Sequence, residues 1–212
     1  MLTTLAKISF LFAVLLFAQP IYPQGVINGV VNEASVTARI IEASNRANGT
    51  TFKPYNKHRI ADYYRSAAGI QAYCNDCATC AAAVWAWHLE AGIRPDLRGV
   101  AMAKSWINVP WSIRIGKGAT QAKKNKVKPG MVAGYRFPRN WHVGLITETH
   151  PLYVVTSECN TSSSADIKAR GQYQKIRPYD MLYSVTDWRN HATIYKDSVR
   201  LVTLRKKYKL NY

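Results

Sequence analysis

Acidic residues are scarce in this chain. Its 212 residues include 12 aspartates and glutamates against 29 lysines and arginines, a formal net charge of +17. The shortage of acid points to a polyanionic neighbour: nucleic acid, an anionic membrane face or an acidic cell envelope. It is not a shortage of core, because 48% of the residues are hydrophobic and only 19% charged. Cysteine is also sparse, with four residues, and a chain of this length folds without a disulfide framework. Long apolar runs are confined to one, Ile8 to Ala18, which is too short to span a bilayer. No internal repeat and no low-complexity segment is present, which leaves one domain with short extensions.

The single apolar run follows an early cation, Lys7, and precedes small and polar residues at Ala18, Gln19 and Gln24. That order predicts a signal peptide over residues 1–24, cleaved between Ala18 and Gly25. The competing reading is an uncleaved membrane anchor. Export places the protein outside the cytoplasm, secreted or periplasmic, with no stable membrane insertion after cleavage. An exported basic protein does not meet chromosomal DNA, so the charge is read as attraction to the cell envelope. The expected organisation is a domain over residues 25–190 and a basic strand or frayed tail over residues 191–212.

Helical periodicity comes first along the chain. Val36, Ile40 and Ile41 mark a helix over Glu33–Asn45, and Ile60, Tyr63 and Tyr64 mark another over His58–Ser66. An Ala-rich, apparently amphipathic helix runs from Thr79 to the stop at Ala91-Gly92, and Met102–Val109 adds a short one. Arg114–Lys128 reads as a basic loop without acid. Beyond the turn at Pro129-Gly130 the period becomes two. Met131–Phe137, His142–Thr147 and Tyr153–Asn160 read as strands, with one or two more between Ile176 and Leu204. Helices followed by strands predict an α+β fold in which the cysteine-bearing helix packs on an antiparallel sheet.

The chemistry is concentrated in three places. Cys80 lies in the first turn of its helix, where unpaired N–H groups and the helix dipole favour thiolate over thiol. His142 opens a strand and supplies a base with an unperturbed pKa near ~6.5. Glu158 and Asn160 alternate on the next strand, so an ideal strand puts both on one face, and that face is expected to look at the Cys80 helix. Nucleophile, base and orienting group are the parts of a cysteine hydrolase. Gly144, two residues after His142, is expected to leave room for a substrate backbone.

These residues resemble the CHAP family, the cysteine- and histidine-dependent amidohydrolases and peptidases of papain-like fold. Its W-C-A-x-F-V helix motif is similar to Cys80, Ala81 and Val84, with Ala91-Gly92 after it. Its P-G-D-I-V and H-V-G-I motifs resemble Pro129-Gly130-Met131-Val132 and His142-Val143-Gly144-Leu145. Its E-G-N-T motif resembles Glu158-Cys159-Asn160-Thr161, and Arg170–Pro178 resembles the closing strand region. The resemblance implies Cys80 as nucleophile, His142 as base, Glu158 and Asn160 as the orienting pair, and amide bonds of peptidoglycan as the target. Trp141, Gly144 and Thr79 are the expected substrate contacts, and no metal or other cofactor is expected. The chain departs from the family at Thr79 and Ala83, where aromatics are usual, at Met131 in place of an acid, and at Cys159 in place of a glycine. These changes touch the shape of the cleft.

Blander readings stand beside these. Cys80 alone is a small buried hydrophobe, and Cys74, Cys77, Cys80 and Cys159 have zinc-ligand spacing in part. Against zinc, Cys159 is expected to point away from Glu158 and Asn160. A Cys74–Cys77 bridge, or one from either to Cys159, stays open. His58, His88, His150 and His191 read as surface or packing residues. The basic stretch Lys117–Lys128 is either a solvated face or a substrate-facing one. The alternative functions are an inactive wall- or polyanion-binding module and a papain-like peptidase acting on proteins.

Overall fold

The structure is a computed structural model and describes residues 26–27, 30–52, 58–70, 79–138, 140–162 and 170–212. The expected leader, Cys74 and Cys77 lie outside the described residues.

A small hairpin, β1 (Val26–Ile27) with β2 (Val30–Val31), leads into α1 (Glu33–Asn45). The Asn32 side chain caps α1 by accepting the Ser35 N–H at 3.1 Å, which satisfies one of the unpaired amides of the first turn. Val36 and Ile40 turn inward, as their spacing predicts. β3 (Thr50–Thr51) and α2 (Arg59–Ala67) follow, and α2 buries Ile60, Tyr63 and Tyr64.

Next comes α3 (Thr79–Glu90), which departs from the amphipathic expectation: every residue from Thr79 to Leu89 is buried. It is enclosed because α1 and α2 pack on it from one side and the main sheet from the other. Ala81, Ala82, Ala83 and Ala86 permit close approach, while Trp85 and Trp87 fill the wider gaps. Gly92 ends the segment at φ +83°, a conformation that glycine adopts without steric cost.

The chain continues through β4 (Ile93–Pro95), α4 (Ala103–Ile107), β5 (Ile113–Arg114) and α5 (Gln121–Lys124). Long strands follow: β6 (Val132–Arg136), β7 (Trp141–Thr149), β8 (Tyr153–Ser162) and β9 (Arg170–Pro178). The last elements are β10 (Ser184–Thr186), β11 (Ala192–Ile194) and α6 (Ser198–Lys207). Seven strands form one sheet in the order β3-β9-β8-β7-β6-β10-β5, antiparallel at every pairing. The architecture is α+β, with helices gathered on one face of the antiparallel sheet.

The sheet separates two cores. Val132, Val143, Leu145 and Cys159 pack with the helices, whereas Ala133, Tyr135, Ile146 and Val154 pack with Ile115, Leu182 and Val185 on the other side. The Ser44 carbonyl, near the end of α1, accepts from Ser157 Oγ at 2.7 Å and from Gln172 Nε2 at 2.5 Å. Those two bonds fix α1 to the helix-side face of β8 and β9.

Three expectations change. The basic stretch is not loop throughout, since it contains α5, and it lies beside Thr149, His150 and Tyr179, at the end of β7 remote from His142. Position therefore favours the solvated-face reading over the substrate-facing one. The strand expected from Ile176 is the end of β9, and a 3-10 turn at Tyr179–Met181 separates it from β10. Within residues 191–212 the expected strand is present as β11, paired with β4, but the fraying expected at Arg205–Lys209 is not, because Arg205 to Lys207 close α6, which packs on α2 with Leu201 buried. Asp197 caps α6 by accepting the Arg200 N–H at 3.1 Å, a start signal hidden in a sequence dominated by positive charge. Among the described residues no helix is long and apolar enough to cross a membrane.

Candidate active site

α3 and β7 begin at the same end of the sheet, and this brings Cys80 and His142 together. The pairing of β7 with β8 stops at Gly144 and Glu158, because β8 bulges between Cys159 and Thr161. The first residues of β7 are thereby left for α3. The Cys80 sulfur, in a residue only 2% exposed, hydrogen-bonds the His142 ring and the backbone of Val143 and Ala81.

Behind His142 stands a row of charge. His142 Nε2 lies 3.0 Å from Glu158 Oε2, so Nδ1 is the ring nitrogen left for the sulfur. Glu158 is fully buried and its carboxylate is saturated: Arg177 donates Nε to Oε1 at 2.7 Å and Nη2 to Oε2 at 2.6 Å, and Thr156 Oγ1 donates to Oε1 at 2.8 Å. The Arg177 guanidinium lies 5.2 Å from the centroid of the Tyr135 ring. The register explains the convergence. Val154, Thr156 and Glu158 share one face of β8, and their partners on β9 are Arg177, Lys175 and Tyr173.

The electrostatics follow from these contacts. Burial pushes the Cys80 thiol up, but the charge and hydrogen bond of His142 and the two backbone groups outweigh it, so the thiol titrates below its ordinary value. Burial pushes His142 down, and the Cys80 thiolate, reinforced by Glu158, raises it to about 10. Burial would raise Glu158, and the bonds from Arg177 and His142 hold it far below the usual carboxylate range. At neutral pH His142 is held as imidazolium and Glu158 as carboxylate, and the Cys80 thiol beside them ionises more readily than an ordinary thiol.

Cys80, His142 and Glu158 thus meet as the sequence predicts, but by another route. Glu158 lies on the sheet face turned away from α3, and His142 spans the end of the sheet to reach Cys80. Cys159, expected to point away, is fully buried on the α3 side in the same core as Cys80. Asn160 does not join Glu158: the bulge gives it φ +60° and breaks the alternation. His142 Nε2 is turned to Glu158, and no bond joins Asn160 to the ring among the described residues. Its Oδ1 is shielded from solvent without a partner among the described residues.

Of the expected substrate contacts, Trp141 is half-buried beside the site and meets Tyr183 edge-on at 5.0 Å. Gly144 has a different task from the one its position suggests. A Cβ there would fall 2.7 Å from Glu158 Cγ and 2.9 Å from the Ser157 carbonyl oxygen, so the missing side chain makes room for Glu158, not for substrate. Thr79 is fully buried and offers a ligand no surface. Arg177 and Thr156 are the site residues the sequence analysis missed; the signal was their alternation with other polar residues on paired strands, which is readable only once the register is known.

The remaining histidines have structural partners. His88 is fully buried, shares a bond with the Val84 carbonyl at 2.7 Å, and is driven by burial to a pKa of about 4, so it is neutral. His58 stacks on Phe52, and His191 on Trp111. Among the described residues no cluster of histidine, cysteine and carboxylate has the make-up of a metal site, and Cys80 and Cys159 are free thiols.

Compared with known proteins, the chain matches no family profile, no curated protein and no solved structure.

Proposed function

We propose that the protein is an exported cysteine hydrolase of papain-like arrangement that cleaves amide bonds in peptidoglycan. The observation that carries the reading is the thiol of Cys80, held below its ordinary pKa against His142 at a helix start, with Glu158 and Arg177 behind it. A thiol kept only for packing needs no such partners.

In the proposed reaction the Cys80 thiolate attacks the amide carbonyl carbon and a C–S bond forms. Backbone N–H groups at the start of α3, including that of Cys80, face the developing oxyanion. His142 gives its proton to the leaving nitrogen as the C–N bond breaks, which leaves a thioester. Water then attacks the thioester, His142 takes the proton from that water, and the C–S bond breaks to restore the thiolate. Glu158 is a positioning residue: it fixes the ring and stabilises the imidazolium, and Arg177 fixes Glu158. The His142 side chain is 12% exposed and marks where a substrate approaches.

The peptidoglycan assignment draws on the CHAP resemblance, on the expected export and on the surplus of 17 positive charges. The test is release of new amino and carboxyl ends, without new reducing ends, from purified cell wall, with mass spectrometry to name the bond. Wild-type protein is expected to release fragments and Cys80→Ala to release none. Persistent lysis by Cys80→Ala refutes the mechanism, and wall binding without cleavage by either protein supports an inactive binding module instead.

A further inference from the structure

Two rings flanked by two cations form a strip at the start of β7, the strand that His142 also opens. Arg136, the last residue of β6, pairs across the sheet with Trp141, and its guanidinium carbon is 5.5 Å from the Trp141 ring centroid and 6.0 Å from that of Tyr183. Arg114 of β5 lies closer, 4.1 Å from the Tyr183 centroid. Tyr183 and Trp141 meet edge to face at 5.0 Å. The order is Arg114, Tyr183, Trp141, Arg136, and His142 follows Trp141 directly in β7.

Both arginines are exposed, and neither forms an ion pair among the described residues. This contrasts with Arg46, Arg65, Arg177 and Arg189, each of which is matched to a carboxylate. Arg114 donates to Asn108 Oδ1 at 3.1 Å. A guanidinium resting on a ring keeps its in-plane N–H groups free and loses little further freedom when it grips a planar acceptor. Two such forks, unmatched by a carboxylate among the described residues and gathered at the end of the sheet where β7 begins with Trp141 and His142, are suited to an acid on the substrate.

We propose that Arg114 and Arg136, braced by Tyr183 and Trp141, form a subsite for a free carboxylate on the peptide portion of the substrate. The protein therefore acts on acidic peptide stems whose carboxylates are not amidated. This inference rests on the hydrolase reading for its kinetic consequence, but its binding consequence does not.

The experiment uses the full mature chain and three wall preparations: untreated, with carboxylates chemically amidated, and stripped of phosphate-bearing polymers. Binding is read by co-sedimentation with Cys80→Ala protein, so a failure of catalysis leaves that readout intact. Cleavage is read separately as half-saturating wall concentration and maximal rate. Arg114→Gln/Arg136→Gln is expected to weaken binding to untreated wall tenfold or more and to raise the half-saturating concentration likewise, with the maximal rate changed less than about threefold. Amidated wall is expected to bring the wild type down to the level of the variant, and phosphate-stripped wall to leave the wild type unaffected. Lys123→Gln/Lys126→Gln removes the same charge at the far end of β7 and is expected to change little. Arg114→Lys/Arg136→Lys keeps the charge without the planar fork and is expected to fall between, which also guards against misfolding of the glutamine variant. The proposal is overturned if amidation leaves binding intact, if stripping phosphate abolishes it, or if the distant lysine pair matters as much as the arginines.

Discussion

Replacing Arg177 with methionine isolates what the buried charge row contributes. Arg177→Met deletes two charge-assisted bonds, at 2.7 and 2.6 Å, to a carboxylate that has no exposure to water. The carboxylate retains His142 and Thr156, at 3.0 and 2.8 Å. Removing one partner of a buried pair costs about 3–5 kcal/mol, and the surviving imidazolium places this case near ~3 kcal/mol. For a protein of this size each kcal/mol moves the melting temperature by roughly 2–4 °C, so a drop on the order of 6–12 °C is expected. The acid profile carries a second signature. Glu158 is held below its unfolded pKa, so its contribution is full above the ordinary carboxylate range and is lost progressively as pH falls from that range through the depressed native value. Without Arg177 that native value rises toward the unfolded one, so less stability is left to lose and the acid limb becomes shallower. Thermal unfolding followed by circular dichroism from pH 3 to 8 measures both effects. A double-mutant cycle with Glu158→Gln is expected to show coupling above ~1 kcal/mol. The reasoning is refuted if Arg177→Met melts within ~2 °C of wild type with an unchanged acid limb.

Alkylation by a small reagent is expected to reach half its maximal rate below the ordinary thiol pKa of about 8.5. In His142→Gln the same sulfur keeps its burial and loses its cation, so the midpoint is expected to move above that value; mass spectrometry of the labelled peptide separates Cys80 from Cys159. The proposed cleavage reaction is expected to stay active through neutral pH and to fall as pH passes about 10, where His142 loses its proton. Glu158→Gln is expected to bring that basic limb down by a unit or more, and an unmoved limb rules out the carboxylate as the support for the imidazolium. Gly144→Ala forces a Cβ to within 2.7 Å of Glu158 Cγ, so a loss of about 1–3 kcal/mol and of tenfold or more in kcat is expected, checked by thermal melts and wall-release rates.

The helical half was legible because its signals are local. Val36 and Ile40 mark α1, Asn32 caps it, and Gly92 stops the segment that bears Cys80. The three long strands were legible because alternation of type is also local. The convergence of Cys80, His142 and Glu158 was legible because three residue types occur in a workable order. Site geometry was not, because it depends on one extra residue in β8. A bulge shifts later side chains by one face, so simple alternation misplaced Asn160; Cys159 keeps the alternation, and its side was missed because Glu158 faces away from α3. Arg177 went unnoticed since its role exists only through strand register. The helix α6 was masked by composition: four cations in ten residues read as tail, although one aspartate and one buried leucine suffice to anchor it.

A rod held on every side transmits displacement along its length. Because α3 has no free flank, enlarging any of its alanines cannot be absorbed by a tilt into solvent. Ala86, about 9 Å along the axis from Cys80 at ~1.5 Å per residue, is as much a part of the sulfur's alignment as the imidazole it meets. Bulky replacements there are expected to shift the nucleophile without touching it, so the tolerance of the chemistry to change is set in the densest part of the interior.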